Sequence, residues 1–242
     1  MHSAKQPLGF MATAASVLAI IAIAACILTV TFQVLLTPAP TRAFATLYVD
    51  DETSPMDHDY LVETACKTLA YCTGDEDAGL PLGDDESIAY TPEVMSHLDD
   101  VTAFFSGMRL AAIVAVLVAM AAIFAIWVAC RERGRGAPAR AGSRVMISSA
   151  VLVLVLLAVL FGWAALDFNS MFNMLHSLFF TSGSWLFSYD SLLICALPEQ
   201  FWMSMGVLWA ALILVVCIVL IVVGVVVRRR YGRARASRDF PG

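Results

Sequence analysis

The chain has 242 residues, of which 60% are hydrophobic and only 14% are charged, and its formal net charge is −5. This balance excludes an ordinary soluble globular domain, in which about a quarter of the residues are charged. The composition predicts a membrane protein, and we expect no nucleic-acid partner.

Four apolar runs are each long enough to cross a hydrocarbon core of roughly 30 Å, which takes about 20 helical residues. They extend from about Phe10 to Leu36, Leu110 to Val128, Val145 to Leu166 and Met203 to Val227. None of them contains Asp, Glu, Lys, Arg or His. The sequence therefore predicts an all-α membrane protein with four transmembrane helices.

The charged residues fall into blocks of alternating sign. Residues 37–107 hold fifteen acidic residues and two basic ones, whereas residues 131–144 hold five arginines and one glutamate, and the tail after Val227 holds six arginines. Since Lys and Arg near span ends stay in the cytoplasm, both termini and the 131–144 loop are predicted inside.

The predicted organisation is as follows: 1–36 cytoplasmic N-terminus and span 1, 37–109 helical extracytoplasmic domain, 110–130 span 2, 131–144 cytoplasmic basic loop, 145–166 span 3, 167–202 outer interfacial helical segment, 203–227 span 4, and 228–242 basic cytoplasmic tail.

The first apolar run could alternatively be a cleaved signal peptide, because "AFA" at residues 43–45 resembles a small-residue cleavage site. Its apolar region of about 26 residues is longer than the 7 to 15 residues of a typical signal. We therefore interpret this run as a transmembrane span.

The 37–109 domain begins with "TPAPTR", whose prolines are predicted to end span 1 and start an extended stretch. Leu61, Ala65 and Leu69 recur at helical spacing and predict a short helix over 59–71. The acidic, turn-rich residues 73–87 are interpreted as a solvated loop. Cys66 and Cys72 would point to different faces of one helix, so no disulfide is expected between them.

A second helix in this domain has a well-defined start. Thr91 is a good N-cap, Pro92 suits the first helical position, and Glu93 lies favourably near the positive end of the helix dipole. Glu93, His97 and Asp100 then share one helix face. A carboxylate one turn from an imidazole can orient the ring and raise its basicity, although a solvated acidic face is the simpler interpretation.

Arg109 lies at the mouth of span 2, on the side where the charge rule does not favour arginine. Its long side chain can carry the guanidinium to the level of the lipid headgroups. Alternatively, it binds a carboxylate or an ester oxygen of a substrate.

The 167–202 segment is rich in aromatic residues, which favour the headgroup level of a membrane. It is predicted to contain a helix over about 167–180, a break at "SGS", and a short helix that Asp190 begins and Pro198 ends. In the first helix, Asn169, Asn173 and His176 form a narrow polar stripe. Such a stripe fits a reactive site, but Asn and His also join helices in lipid.

Acyl or phosphoryl transfer requires a proton acceptor and a group that stabilises the developing oxyanion. His97 and His176 are predicted on the same side of the membrane, whereas His58 lies in a polar surface stretch and His2 is terminal. The sequence has no G-x-S-x-G, H-E-x-x-H or P-loop motif, and its histidines and carboxylates match no closed zinc motif. We expect no metal or cofactor, and the bare spans argue against a transporter.

Two motifs resemble one known family. They are "E-x-x-x-H-L-x-D-V" from Glu93 to Val101 and "D-F-x-x-x-F-x-x-x-H-x-x-F-F" from Asp167 to Phe180, followed by Trp185, Asp190 and "L-P-E-x-F-W" at 197–202. This combination, together with the four-span layout, is similar to the bacterial lipoprotein intramolecular transacylase family.

The resemblance implies an acyltransferase of the bacterial cell membrane whose partners are diacylated lipoproteins and membrane lipids. It would move an ester-linked acyl chain from the diacylglyceryl group of the N-terminal cysteine to the α-amine, giving a lyso-form lipoprotein. His97 and His176 would be the acid–base pair at the outer face, in roles that the sequence does not distinguish. The remaining predicted site residues are Glu93, Asp100, Asn169 and Asn173, which would support or orient the histidines, and Arg109, Phe172, Phe179, Phe180 and Trp185, which would line a substrate or lipid pocket.

Two alternatives remain open from the sequence. One is a different lipid- or acyl-modifying enzyme that uses the same histidines, with Ser177, Ser182 or Ser184 as a covalent nucleophile. The other is a non-enzymatic membrane scaffold whose outer domain binds a partner. The sequence does not predict an oligomeric state.

Overall fold

The computed structural model describes the backbone of residues 6–131, 134, 136–180 and 185–239, and the side chains of residues 11–131, 134, 136–180 and 185–231. Eight helices make up most of this described part. They are α1 (Gln6–Leu35), α2 (Pro38–Tyr48), α3 (His58–Cys72), α4 (Pro92–Arg131), α5 (Ala137–Leu166), α6 (Phe168–Phe179), α7 (Leu192–Ala196) and α8 (Glu199–Asp239). The described residues form no strand, only one isolated bridge between Leu82 and Tyr90.

Four of these helices are long and apolar enough to cross a membrane: α1, α4, α5 and α8. The mean hydropathy of their most apolar windows lies between 2.6 and 3.6. The predicted fold class, an all-α membrane protein with four transmembrane helices and helical segments between them, is therefore confirmed.

Helix α4 continues without interruption through the predicted boundary between residues 109 and 110. Its 40 residues would extend about 60 Å at 1.5 Å per residue, roughly twice the thickness of a hydrocarbon core. The apolar run begins only at Leu110, and His97 lies in the earlier part of α4; its place outside the membrane-spanning segment stays a prediction. The remaining boundaries of the predicted spans, loops and termini stay predictions, because helix ends do not define the limits of a membrane.

The extended stretch predicted after "TPAPTR" is wrong, since these residues form helix α2. Thr37 has extended backbone angles at the N-cap, and Pro38 follows in the first turn. Main-chain N–H groups in the first turn have no partner within a helix, so a proline there loses no hydrogen bond. The prolines therefore end α1 and begin another helix.

The other predicted helices between the spans agree closely with the structure. The helix predicted over 59–71 is α3, and its N-cap is Asp57, whose side chain accepts from the N–H of Tyr60. The helix predicted over 167–180 is α6, and the short helix near 190–198 is α7. Helix α7 is capped by Ser191, one residue after the predicted Asp190. The break predicted at "SGS" falls on residues 182–184, which lie outside the described residues.

The described residues group into two compact units. The first comprises the described residues within 1–30, 111–159 and 212–242, and it contains a cluster of mostly small buried residues: Ala19, Ala122, Ile126, Cys130, Ala141 and Val145. Small residues let membrane helices approach closely. Gly224 shows the same effect, because a Cβ atom there would lie 2.8 Å from Ile147 Cγ1.

The second unit comprises the described residues within 31–110 and 160–211, and it contains both histidines of interest. Helix α3 packs against α2 and α7 within it. Two main-chain hydrogen bonds join the α7 region to the 37–109 domain: Asp50 N donates to Cys195 O at 2.9 Å, and Leu192 N donates to Glu86 O at 2.8 Å. The buried Tyr90 hydroxyl also bonds Thr68 Oγ1 at 2.7 Å. This unit therefore holds residues distant in sequence in one packed structure.

Candidate active site

His97 lies on α4, close to the start of that helix, and its side chain is buried with 8% of the residue exposed. Val94 N lies 3.5 Å from the hydroxyl of Thr91, which agrees with the predicted N-cap. The Nδ1 atom of His97 is buried and has no hydrogen-bond partner among the described residues. A buried imidazole nitrogen without a protein partner is unusual, and it is available for a ligand.

His176 lies in the last turn of α6, a helix whose N-cap is Asp167. The Asp167 carboxylate accepts a hydrogen bond from Ser170 N at 2.9 Å and so fixes the start of the helix. Nδ1 of His176 lies 2.9 Å from the carbonyl oxygen of Phe172. Because a carbonyl can only accept, Nδ1 carries the hydrogen and Nε2 keeps its lone pair.

The ring of Phe180 brings the two histidines into one site. Its centroid lies 5.3 Å from that of His97 and 5.4 Å from that of His176. Phe180 follows the last residue of α6, and its N–H donates to the carbonyl of His176 at 2.8 Å, which holds this ring at the helix end. Two histidines 79 positions apart in sequence thus contact the same aromatic ring.

The environment lowers the pKa of both histidines. Burial, and to a smaller extent the charge of His176, lower the pKa of His97 from its usual 6.5 to about 4, while Asp100 opposes both effects. Burial also lowers the pKa of His176, against the opposing effect of its hydrogen bond to Phe172. Both imidazoles are consequently neutral at pH 7, and they disfavour each other's protonation.

Glu93 and Asp100 lie on α4 as predicted, but both are exposed to solvent. Glu93 bonds its own main chain and the hydroxyl of Thr91. Since Nδ1 of His97 has no partner in the described part of the chain, neither carboxylate orients the ring through that atom. Asp100 acts on His97 only through its charge, which raises the histidine pKa.

The polar stripe on α6 contacts an aromatic neighbour of His176. Asn173 Oδ1 accepts a hydrogen bond from Trp185 Nε1 at 3.2 Å, and the Trp185 ring lies 5.7 Å from that of His176. Asn173 thus positions a tryptophan that contacts the histidine. Asn169 is exposed, and the main-chain carbonyl of Phe172 takes the orienting place that the sequence assigned to an asparagine.

The aromatic residues predicted to line a substrate or lipid pocket make ring contacts around the histidines, and their role as a lining stays a prediction. The Phe172 ring lies only 3.8 Å from the His176 ring, and Phe179 packs against Phe104 at 4.7 Å. Two further aromatic residues escaped the sequence prediction: Phe104, which also contacts Phe180 at 6.0 Å, and Phe187, which lies 5.6 Å from His97. Phe104 is seven residues after His97 on the same helix, so helical spacing could have found it. Phe187 lies in an irregular stretch that carries no such signal.

Arg109 contacts the end of α3. Its Nη2 donates to the carbonyl of Thr73, the C-cap residue of that helix, at 3.1 Å. A cation at a helix C-terminus bonds free carbonyls and interacts favourably with the helix dipole. The structure thus gives Arg109 a stabilising contact within the 37–109 domain, and its predicted contact with a substrate oxygen stays a prediction.

The family model for the lipoprotein intramolecular transacylase Lit matches residues 14–202, more than three quarters of the chain. The chain belongs to this family. Membership makes it an acyltransferase and confirms the resemblance that the two motifs indicate. Both histidines and every predicted site residue lie within the matched range. No curated protein matches the chain significantly.

The fold is also similar to that of solved transacylase structures from Bacillus cereus. The membrane-integral lipoprotein intramolecular transacylase Lit superposes with a TM-score of 0.69 at 15% identity, over 94% of this chain and 99% of that one. A variant of the same protein with one histidine replaced by arginine gives a TM-score of 0.68 at 14% identity, over 93% of this chain and 96% of that one. At such identities the likeness establishes the fold, which is that of a multi-pass membrane protein.

Proposed function

We propose that the chain moves one ester-linked acyl chain from the diacylglyceryl group of a bacterial lipoprotein to the α-amine of the same cysteine. His97 and His176 carry out the proton transfers. The observation that carries this proposal is the contact of both histidine rings with Phe180, in a chain that belongs to the transacylase family. Nucleophile and ester belong to one molecule, so orientation replaces a second substrate.

His176 acts as the general base. Its Nδ1–H donates to the Phe172 carbonyl, which leaves the Nε2 lone pair to accept the proton of the attacking amine. Burial lowers the pKa of His176 below its usual 6.5, so the ring is in its neutral, proton-accepting form at neutral pH. The α-amine, with an ordinary pKa near 8, needs such an acceptor.

His97 acts as the neutral hydrogen-bond donor to the ester carbonyl. Its pKa of about 4 keeps the ring uncharged, and the repulsion from His176 keeps it uncharged after His176 has taken a proton. A neutral imidazole still donates through its one N–H, and a donor aimed at the developing oxyanion lowers the barrier of acyl transfer.

The transfer then balances without a cofactor. The amine nitrogen forms a bond to the ester carbonyl carbon and loses a proton to His176, and His97 stabilises the tetrahedral oxyanion. The bond from that carbon to the glyceryl oxygen breaks, and the proton on His176 passes to this oxygen. The products are an amide and a free glyceryl hydroxyl, and the greater stability of the amide drives the reaction.

Aromatic residues around the histidines provide an apolar surface for the acyl chains. Phe172, Phe180 and Trp185 contact His176, and Phe187 contacts His97. These rings also limit the access of water, which would otherwise compete with the amine for the ester. The same apolar surroundings keep the histidines neutral.

The site faces the outer side of the bacterial cell membrane, with both termini in the cytoplasm. This part of the proposal rests on the charge asymmetry, since the basic blocks lie at 131–144 and after Val227, and the acidic residues lie in 37–107. Diacylated lipoproteins are anchored by their acyl chains, so their ester groups lie near the membrane surface.

The decisive test expresses the chain in a bacterium that lacks such an enzyme and determines the mass and acyl position of an N-terminal lipopeptide. Wild-type protein should move one acyl chain to the α-amine, and His97→Ala and His176→Ala should each abolish the transfer. His58→Ala is the matched control, because His58 is a partly exposed histidine of the 37–109 domain, paired with Asp51 at 3.0 Å. It should retain full activity.

Three results would contradict the proposal. Unchanged lipopeptides in cells with well-expressed wild-type protein would show that the chain does not catalyse the acyl transfer. Labelling by a serine-directed probe, lost in a serine variant that also loses activity, would favour a covalent nucleophile. Ser177 is the one candidate serine within the described residues, and its hydroxyl donates to Met174 O at 2.8 Å; Ser182 and Ser184 lie outside the described residues. A binding partner retained by both histidine variants, without any change to lipopeptides, would favour a scaffold.

A further inference from the structure

The first unit is strongly basic where α5 begins and where the apolar part of α8 ends. The residue ranges of this unit hold twelve of the fifteen Lys and Arg residues of the chain and only two of its twenty acidic residues. Arg140 and Arg144 lie on α5, and Arg228 lies on α8. We call these three residues the arginine cluster. Arg144 and Arg228 are exposed and Arg140 is partly exposed, so a ligand can reach all three.

Two close contacts bring α5 and α8 together around this cluster. A Cβ atom on Gly224 of α8 would lie 3.1 Å from the carbonyl oxygen of Ser143 on α5. A Cβ atom on Gly136, which directly precedes α5, would lie 3.1 Å from Cδ1 of Tyr231 on α8. Since Gly224, Arg228 and Tyr231 recur at i, i+4 and i+7, Arg228 lies on the α8 face that packs against α5.

Arg140 and Arg144 lie beside the same contact. A Cβ atom on Gly136 would lie 3.0 Å from Nη1 of Arg140, so this guanidinium packs over the glycine that Tyr231 also contacts. Arg144 follows one turn later, and its Nε donates to the carbonyl oxygen of Arg140 at 3.4 Å. The packing of two helices therefore gathers three arginines.

The arginine cluster has no anionic partner among the described side chains. Both ion pairs of the described residues lie in the 37–109 domain. Like charges at i and i+4, such as Arg140 and Arg144, repel each other, and Arg228 adds a third positive charge. A bound anion would offset this repulsion, and the planar fork of a guanidinium matches the oxygens of a phosphate.

Apolar surface next to the cluster favours a lipid phosphate over a free one. The apolar stretch of α5 begins directly after Arg144, and that of α8 ends directly before Arg228. The contact between Ser143 and Gly224 places these two changes from basic to apolar side by side. Exposed valines continue the apolar surface along α8: Val222, Val223 and Val226. A phospholipid carries its phosphate beside its acyl chains, so it contacts both surfaces at once.

We propose that the arginine cluster binds the phosphate group of an anionic phospholipid, whose acyl chains lie along the apolar parts of α5 and α8. The cluster belongs to the first unit, whereas both histidines belong to the second. The lipid therefore binds whether or not the chain transfers acyl groups.

The test measures lipid binding to the full chain, purified in detergent, by native mass spectrometry with added phosphatidylglycerol or phosphatidylcholine. The wild type should retain phosphatidylglycerol in preference, and this preference should shrink as the salt concentration rises. Arg140→Gln combined with Arg228→Gln should weaken phosphatidylglycerol binding about tenfold to thirtyfold, as expected for two basic residues near a lipid phosphate. Lys at the same two positions keeps the charge but loses the fork, so the loss should be smaller.

Arg42→Gln combined with Lys67→Gln is the matched control, because it removes two positive charges from the second unit. This variant should bind phosphatidylglycerol like the wild type. Equal losses in both glutamine variants would overturn the proposal, because net charge alone would then explain the binding. A folded Arg140→Gln and Arg228→Gln variant that keeps the wild-type preference would also overturn it.

Two measurements on the wild type test the proposal even if a variant fails to fold. Equal retention of phosphatidylglycerol and phosphatidylcholine would overturn it. Glycerol phosphate carries a phosphate without acyl chains, and it should not displace bound phosphatidylglycerol at an equal concentration. Displacement at that concentration would show that the cluster binds a free phosphate, and the assignment of a lipid would be wrong.

Discussion

Nδ1 of His176 lies 2.9 Å from the carbonyl oxygen of Phe172, one helical turn earlier in α6. The bond needs no other side chain, because it joins a residue to the main chain of its own helix. It fixes the hydrogen on Nδ1 and leaves Nε2 as the basic atom. The reactive tautomer of this histidine is therefore a property of α6 itself.

The first prediction concerns the pH dependence of acyl transfer. Burial lowers the pKa of His176, and an imidazole acts as a general base only when it is neutral. At neutral pH the ring is already neutral, so the titration of His176 should not affect the rate there. Below the lowered pKa, with a midpoint below 6.5, it should fall about tenfold per pH unit in addition to the fall that protonation of the substrate amine causes. The measurement is the initial rate on a synthetic diacyl lipopeptide between pH 4 and 8.

His176→Gln should lower the rate by about 10²-fold to 10⁴-fold and remove this acidic limb. Every variant should keep a fall in rate below about pH 8, which comes from protonation of the substrate amine. An acidic limb with a midpoint above 6.5 would contradict the assignment of His176 as the buried base.

The second prediction concerns Phe180, which contacts both histidine rings. Phe180→Leu removes an aromatic wall from both, so water gains access and the pKa of each histidine should rise toward 6.5. The acidic limb should shift to higher pH, and the free energy of unfolding should fall by roughly 1–3 kcal/mol. Rates and thermal unfolding measured on the same preparation separate the two effects.

Phe179→Leu is the matched control for this change. Phe179 packs against Phe104 at 4.7 Å and is 53% exposed, so its truncation should leave the pH profile in place. An equal shift of the acidic limb in both variants would show that Phe180 has no specific role.

The third prediction concerns Trp185 and Asn173. Trp185→Phe keeps a ring beside His176 but loses the hydrogen bond to Asn173, and Asn173→Ala loses the same bond from the other side. Each should cost about 0.5–1.5 kcal/mol of transition-state stabilisation. The double variant should cost little more than either one, because the two residues share one interaction. Additive losses would indicate that they act independently.

The fourth prediction concerns the hydrogen bond between the buried hydroxyls of Tyr90 and Thr68. Tyr90→Phe leaves the phenyl ring in place and removes only this bond, so stability should fall by about 1–2 kcal/mol. The rate per folded molecule should not change, because neither hydroxyl contacts His97 or His176. Tyr71→Phe is the comparison: its hydroxyl donates to Asp99 at 2.5 Å in an exposed position, and the loss should be smaller.

Local sequence signals predicted the parts of this chain that depend on neighbouring residues. Thr91 and Pro92 correctly marked the start of α4, and the spacing of Leu61 and Leu69 correctly marked α3. Pro38 led to the wrong prediction of an extended stretch, because the same proline geometry that ends one helix also suits the first turn of the next. A sequence pattern does not distinguish these two uses.

The partners of side chains were harder to predict than the helices. Spacing placed Glu93 and Asp100 beside His97, yet both turn toward solvent while the ring of His97 packs against Phe180 and Phe187. Apolar contacts with the 167–202 segment outweigh a solvated carboxylate one turn away, and helical periodicity carries no information on that choice. The two histidines were singled out by the predicted topology, and the family motifs then agreed with that choice.

Two main-chain hydrogen bonds, from Asp50 to Cys195 and from Leu192 to Glu86, attach the α7 region to the 37–109 domain. They affect which amino-acid substitutions the fold can accept. Every residue other than proline carries these donor and acceptor groups, so the attachment places almost no demand on residue identity. The two bonds therefore survive side-chain replacement, and the constraint on Leu192 and Cys195 comes instead from packing, because both are fully buried. Such an attachment agrees with a fold shared at 15% identity, and it leaves selection free to act on the few side chains that perform chemistry.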